Sequence, residues 1–240
     1  MFYLYAKNKQ NAGLSVSTNK KSSHLPLKYN YPIFVIKLNA MKKLFTVTTL
    51  FIMSLGYAQD CSEATSKETQ KKLNAEYADP KTSPLTKEDL KTFKSLDFYP
   101  VDIKYCVTAK LTRTPKDKPF YMATTKARKS LYVKYGELSF TINGKQCKLD
   151  IFQNQDLLKN DEYKDYLFLP FTDNTNGEGT YAGGRYIDLK IPKGNTMQID
   201  FNAAYNPYCT YNHDYSCPIP PSQNFLDTDI KAGVKAYKKH

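Results

Sequence analysis

Cys209, His213 and Cys217 stand at C-x3-H-x3-C spacing, with Asp214 beside the histidine. Two thiolates and an imidazole are zinc-ligand chemistry, and Asp214 could complete the set. Zinc motifs usually show tighter spacing, however, and exported thiols oxidise, so a Cys209–Cys217 disulfide is the expected state and no metal is assigned. Closing so short a loop contributes about 2–3 kcal/mol on the chain-entropy account. Histidines occur at positions 24, 213 and 240, so any Cys–His or Ser–His–Asp arrangement must use His213. That scarcity weighs against ordinary hydrolase chemistry. What remains is carboxylate chemistry: Asp173, Asp188 and Asp200 could act as an acid–base pair if their environments separate their pKa values.

Around these groups the chain concentrates polar and aromatic residues. Asp173, Tyr181, Arg185, Tyr186 and Asp188 lie in "FTDNTNGEGTYAGGRYID", and Asn202, Tyr205, Asn206 and Asn224 lie in "FNAAYNPYCTYNHDYSCPIPPSQNFL". Polar groups converging in an aromatic pocket are the usual form of a small-molecule or glycan site. Asparagines in turns also bond backbone amides, so Asn206 and Asn224 could equally lock a surface loop. The glycines at 177, 179, 183 and 184 are followed by a strand pattern. Without a helix N-terminus they do not make a phosphate cradle, and no cofactor is called for.

The elements that must hold these residues read as mainly β. "CSEATSKETQKKLNAEYADP" predicts a short helix stopped by Pro80, and "SPLTKEDLKTFKSLDFYP" a second, with Thr86 and Asp89 resembling a capping box. From Val101 through Ile103, Tyr105, Val107, Ala109 and Leu111 the apolar period becomes two. In "ELSFTINGKQCKLDIF", Asn143-Gly144 predicts a type I′ hairpin that pairs Phe140 with Cys147 and Leu138 with Leu149, all on one face. "DYLFLPF", "GGRYIDLKIP" and "TMQIDFNAAY" supply further strands. The chain leaves the last of them at Asn206-Pro207, and the proline-rich "PIPP" then crosses the surface. Successive strands with short turns predict an antiparallel sandwich or open barrel with short N-terminal helices. The 20 tyrosines and 13 phenylalanines suit pleated surfaces better than a helical bundle.

The formal charge of +12 is unevenly spread. Residues 1–58 hold eight lysines and no acidic residue, leaving 27 basic against 23 acidic residues, a net +4, beyond Ala58. That balance gives no electrostatic reason to expect nucleic acid. From Met41 the sequence "MKKLFTVTTLFIMSLGYAQD" has a lysine pair, an apolar run from Leu44 to Leu55, and Gly56 and Ala58 before a cut at Gln59. This is the secretory pattern; the run is too short to span a membrane. Residues 41–58 are therefore expected to be a signal peptide, residues 1–40 an over-extended, disordered start, and 59–240 one periplasmic or secreted β-rich domain without a transmembrane segment. Asp60 before Cys61 argues against lipidation. Cys61 could reach Cys106, and Cys147 on the apolar hairpin face reads as a free thiol, but spacing leaves these pairings open.

The run D-x-T-x-G-x-x-T-Y-x-G-G-R-Y from Asp173, the run D-F-N-x-A-Y-N-P-x-C from Asp200, and C-P-x-P-P-x-x-N-x-L from Cys217 resemble the bacterial family called domain of unknown function 1684. The resemblance extends upstream through "SPLTKEDLKTFKSLDFYPVDIKYCVTAKL", which holds the second predicted helix, and through the hairpin "GELSFTINGKQCKLDIFQN". It implies no assigned activity. It marks Asp173, Thr180, Tyr181, Gly184, Arg185, Tyr186 and Asp188, then Asp200, Asn202, Tyr205, Asn206, Cys209, Cys217 and Asn224, as signature positions. The family continues "AGE" where this chain has Ala232-Gly233-Val234, so a role carried by that glutamate would be missing here. The functional expectation is an exported protein binding a small molecule or glycan where Arg185, Asp188, Asn202 and Asn206 converge beneath the Cys209–Cys217 loop. A structural envelope protein and a carboxylate-based hydrolase are the alternatives, and enzymatic activity is left undecided.

Overall fold

Ser62 opens the first helix because its hydroxyl accepts the Thr65 N–H while Thr65 returns a bond to the Ser62 N–H, a capping box that satisfies two otherwise orphaned donors. The computed structural model describes residues 61–237; the expected leader over 1–40 and signal peptide over 41–58 lie outside them. Helix α1 (Glu63–Ala78) buries a narrow stripe of Ser66, Leu73 and Tyr77 and ends two residues before Pro80, with Asp79 as its C-cap. Helix α2 (Lys87–Thr92) is a single short segment capped by Thr86, which accepts from the Asp89 N–H.

The strands are β1 (Cys106–Arg113), β2 (Phe120–Met122), β3 (Ser130–Ile142), β4 (Lys145–Asn154), β5 (Tyr166–Asp173), β6 (Arg185–Lys190), β7 (Thr196–Asp200) and β8 (Phe225–Leu226). They form one sheet in the order β6-β5-β4-β3-β1-β7, with β2 beside β3 and β8 parallel to β5. It is curled into a half-barrel, the open-barrel form of the expected architecture. The Asn143-Gly144 turn has both residues at positive φ, 50° and 75°, as a type I′ turn needs. The predicted register is present, Phe140 opposite Cys147 and Leu138 opposite Leu149. Val101 and Ile103 do not belong to β1. Asp102 caps a 3-10 turn over Ile103–Tyr105, which leaves Ile103 exposed, so the alternation starts at Tyr105.

Both faces of the sheet are covered. Along β5, Leu167, Leu169 and Phe171 enter one apolar cluster, while Tyr166 and Phe168 enter the other. Such strict alternation places the clusters on opposite faces. The second cluster is roofed by α1, through Leu73 and Tyr77, and by the aromatic loop that carries Tyr208 and Tyr211. Because the half-barrel does not close, its edge strands β6 and β7 return near each other, and α1 packs against the Phe201–Ala203 turn beside that seam. Among the described residues no helix is long and apolar enough to cross a membrane.

Candidate functional site

Arg185 and Asp188 start the same strand but cannot share a pocket. They are three residues apart, so the pleat sends them to opposite faces. Arg185 is wholly buried on the face of Ile187, where Nη2 donates to Asp173 Oδ2 (2.8 Å) and to the Ile230 carbonyl (2.9 Å), and Nη1 donates to the Ala232 carbonyl. Asp173 in turn accepts the Thr175 N–H (2.9 Å), the Thr175 hydroxyl (2.6 Å) and the Ile230 N–H (3.2 Å). The pair is a knot tying the glycine-rich loop to the C-terminal segment. Gly184 completes it. Its φ is +90°, and a Cβ there would sit 2.6 Å from the Phe171 carbonyl oxygen. Burial pulls the Arg185 pKa down and the Asp173 carboxylate opposes this.

The expected asparagine cluster is likewise structural. Asn202 accepts the Asp102 N–H and donates to the Asp102 carbonyl, each at 3.0 Å, imitating a neighbouring strand. Asn224 does the same to Asp150 and also donates to the Pro170 carbonyl. Asn206 donates to the Lys235 carbonyl and the Tyr211 hydroxyl. Tyr186 donates its hydroxyl to the Pro218 carbonyl, which pins the proline-rich crossing to the sheet. The anticipated convergence of Arg185, Asp188, Asn202 and Asn206 under the loop therefore does not occur.

Nor is that loop stapled. Cys209 and Cys217 are in contact without a disulfide between them, the Cys209 N–H donating to Cys217 Sγ at 3.0 Å, and the bonded pair is Cys61–Cys106, with Cα atoms 6.0 Å apart. Backbone and side-chain bonds hold the loop's shape instead, among them Thr125 N–H to the Cys217 carbonyl and Cys217 N–H to the Thr125 hydroxyl. Hydrogen bonding from Cys217 lowers the Cys209 pKa to about 7, against the opposing effect of burial. Cys147 is a free, partly buried thiol. His213 is exposed, and the one His/Cys/Asp/Glu group close enough to share an ion, among the described residues, is Cys61, Cys106 and Asp200. Its two cysteines are already bonded to each other. Tyr181 is half-buried against the thiol loop, within bonding reach of Cys209.

A cavity of about 240 Å³ opens elsewhere, at the seam. Asp188, Ile187, Leu189 and Lys190 of β6 form one wall, Thr69 and Lys72 of α1 another, and Tyr163, Tyr166, Ala203 and Tyr205 the rest, with Glu162 and Asp165 at the rim. Behind the tyrosines the Tyr166 and Tyr205 hydroxyls both donate to Asp188 Oδ1, each at 2.7 Å. Asp188 Oδ2 is enclosed and, among the described residues, has no hydrogen-bond partner. Desolvation raises the Asp188 pKa to about 6, although the two phenol bonds oppose the rise. The same carboxylate holds both phenols well above their usual pKa, burial being the larger cause. A smaller hollow of about 40 Å³ shares Thr69, Asp188 and Ala203 and continues toward the Cys61–Cys106 bridge and Asp200. Asp200 is itself occupied, accepting from the Ser66 hydroxyl (2.6 Å) and from Asn202. Of the expected site residues only Asp188 and Tyr205 line the larger cavity. Tyr166, Thr69 and Lys72 were not legible as site residues, because "DYLFLPF" reads as core strand and α1 as packing.

The roof is fixed at several points. Besides the disulfide, Gln70 donates to the Asn202 carbonyl, Tyr208 donates to Glu76 (2.8 Å), and Asn74 accepts the Leu96 N–H. Val234, where the resemblance led to an expected glutamate, is buried and bridged to Phe98.

Residues 91–235 match the family described as a protein of unknown function, DUF1684. No curated protein is significantly similar to the chain. Among solved structures, the solution NMR structure of an uncharacterized protein of Haloarcula marismortui is similar at 30% identity, covering 74% of this chain and 96% of that one, with a TM-score of 0.59. The matched segment includes Tyr166, Asp188 and Tyr205, whereas α1, with Thr69 and Lys72, precedes it.

Proposed function

The chain belongs to the DUF1684 family of proteins of unknown function, and we propose from the cavity at its seam that it is an exported binding protein for a small polar molecule. One observation carries this reading: a desolvated carboxylate, Asp188, stands at a cavity wall with one oxygen held by two tyrosines and the other without a hydrogen-bond partner among the described residues. A buried acceptor without a partner costs about 1–3 kcal/mol, more when charged, so packing alone gives no reason to keep it. A purely structural protein accounts for the Arg185–Asp173 knot but leaves Asp188 unexplained. Apolar and aromatic walls joined by a few polar groups, with Asp188 the oriented one, have the usual composition of a ligand site. The volume suits a ligand of few heavy atoms.

Export is supported by the secretory pattern of residues 41–58 and by the Cys61–Cys106 bridge, a bond that persists in oxidising compartments. N-terminal sequencing of the protein recovered from its producing cells should begin at Gln59. Ligand binding is tested by titrating the protein with small-molecule and glycan fragments while following backbone amide resonances. Saturable shifts at Thr69, Ile187 and Ala203, abolished by filling the cavity with Thr69→Trp, support the reading. Shifts elsewhere only, or none, reject it.

A further inference from the structure

The walls of the cavity carry a chemical preference. Ionisable groups on its lining are Asp188, Glu162 and Asp165 against Lys72 and Lys190. Lys190 is already paired with Asp165 at 3.0 Å, and Lys72 lies 3.8 Å from Glu68. The balance facing the cavity is therefore acidic, and its most desolvated member is Asp188. Glu76, which accepts the Tyr208 hydroxyl, adds a smaller negative potential to Asp188. Among the described residues no cationic side chain is paired with the Asp188 carboxylate, and its hydrogen bonds there come from phenols.

Those phenols matter twice. A tyrosine that donates its O–H to a carboxylate is polarised toward phenolate, which enriches its ring and strengthens its attraction for a cation. The buried charge behind the rings acts through a low-dielectric medium and is weakly screened. A neutral polyol could use neither effect, and the apolar walls of Ile187, Leu189 and Ala203 offer its hydroxyls few partners.

We propose that the seam cavity selects a small organic cation, an ammonium group on a short apolar body, seated against Tyr166 and Tyr205 with Asp188 behind them as counter-charge. The proposal rests on the cavity being a ligand site and adds the ligand's class. The natural source of the ammonium group is immaterial to the recognition; what the site reads is positive charge that is poorly hydrated.

The test compares choline and n-butylamine with 3,3-dimethyl-1-butanol, the uncharged isostere of choline, and with N-acetylglucosamine, by calorimetry and amide chemical shifts on the full chain. The cations should bind at least about tenfold more tightly than the isostere. With Asp188 titrating at about 6, lowering the pH from 7 to 5 should weaken cation binding by about tenfold and leave isostere binding unchanged. Asp188→Asn should remove that pH dependence. Equal binding of choline and its isostere by the unaltered protein overturns the proposal without reference to any variant. Binding of N-acetylglucosamine at the same amides, with no response to either cation, overturns the ligand class and leaves the cavity as a site. No saturable shift at Thr69, Ile187 or Ala203 with any probe overturns both.

Discussion

The perturbed carboxylate of Asp188 makes the stability of this protein depend on pH in a direction opposite to that of most aspartates. Its folded-state pKa is raised from 3.8 to about 6, chiefly by desolvation. A raised carboxyl pKa means the folded state holds a proton that the unfolded state has already released. Stability is therefore greatest below the unfolded pKa, falls as pH climbs from about 4 to about 6, and is level above that. Two pH units at about 1.4 kcal/mol each give roughly 3 kcal/mol as the full span. Other groups titrate in the same window, so the clean quantity is a difference. Urea unfolding of the unaltered protein and of Asp188→Asn, with the disulfide intact, should be measured at intervals from pH 4 to pH 8. The stability of the variant relative to the parent should rise by roughly 2–2.5 kcal/mol between pH 4 and pH 7, the rest of the span lying below pH 4, and then stay constant. Asparagine keeps an oxygen for the two phenols while removing the charge, so the comparison isolates ionisation. A pH-independent difference would mean that the Tyr166 and Tyr205 bonds fully offset desolvation. A difference that falls with pH would mean they exceed it. Either result would remove the physical basis for a strained, ligand-seeking carboxylate.

Arg185→Met leaves Asp173 buried without its counter-ion and should cost about 3–5 kcal/mol in chemical denaturation, whereas an exposed pair such as Lys190–Asp165 should yield under about 1 kcal/mol to Lys190→Met. Asn224→Ala removes bonds to the Asp150 N–H and to the Asp150 and Pro170 carbonyls, and should lower stability by about 2–3 kcal/mol in the same assay. Under denaturing, non-reducing conditions the purified protein should take up three alkyl groups by mass spectrometry, at Cys147, Cys209 and Cys217, and five after reduction; a single adduct would show that the contacting pair is bonded after all.

Local chemistry made the hairpin legible. Asn143-Gly144 fixes the turn, the turn fixes the register, and the register agrees with the apolar pattern, so three independent constraints select one arrangement. The site was less legible because its residues lie far apart in sequence and their local patterns serve two purposes. Arg185 and the three asparagines look like ligand groups, yet each finds backbone partners supplied by a distant segment, Ile230 and Ala232 for the arginine and Asp102, Lys235 and Asp150 for the amides. Such pairings follow from tertiary folding, which spacing does not encode. Parity along β6 was readable, however. An interval of three between Arg185 and Asp188 already separates them onto opposite faces. The cysteines show the reverse lesson. Nearness in sequence made Cys209–Cys217 the natural bridge, but the bond joins Cys61, just before α1, to Cys106 at the start of β1 across 45 residues.

That last placement links the frame to the site. An eight-stranded sheet that curls without closing leaves two edges and a gap between them, and here the gap lies between β6 and β7. The signature residues do not fill it. The Arg185–Asp173 knot and the asparagine bonds secure the loop and the C-terminal segment around the barrel, while the gap is covered by α1, a helix outside the family segment and attached through its own disulfide and polar contacts. A helix packed only for stability would bring apolar residues to the gap. Instead α1 presents Thr69 and Lys72 there and keeps Leu73 and Tyr77 for the aromatic cluster, so a hollow persists over the desolvated carboxylate of Asp188. The division of labour makes physical sense for a binding protein: a rigid, over-determined half-barrel holds Asp188 and its tyrosines in place, and a separately fastened helix sets the size and entrance of the space in front of them.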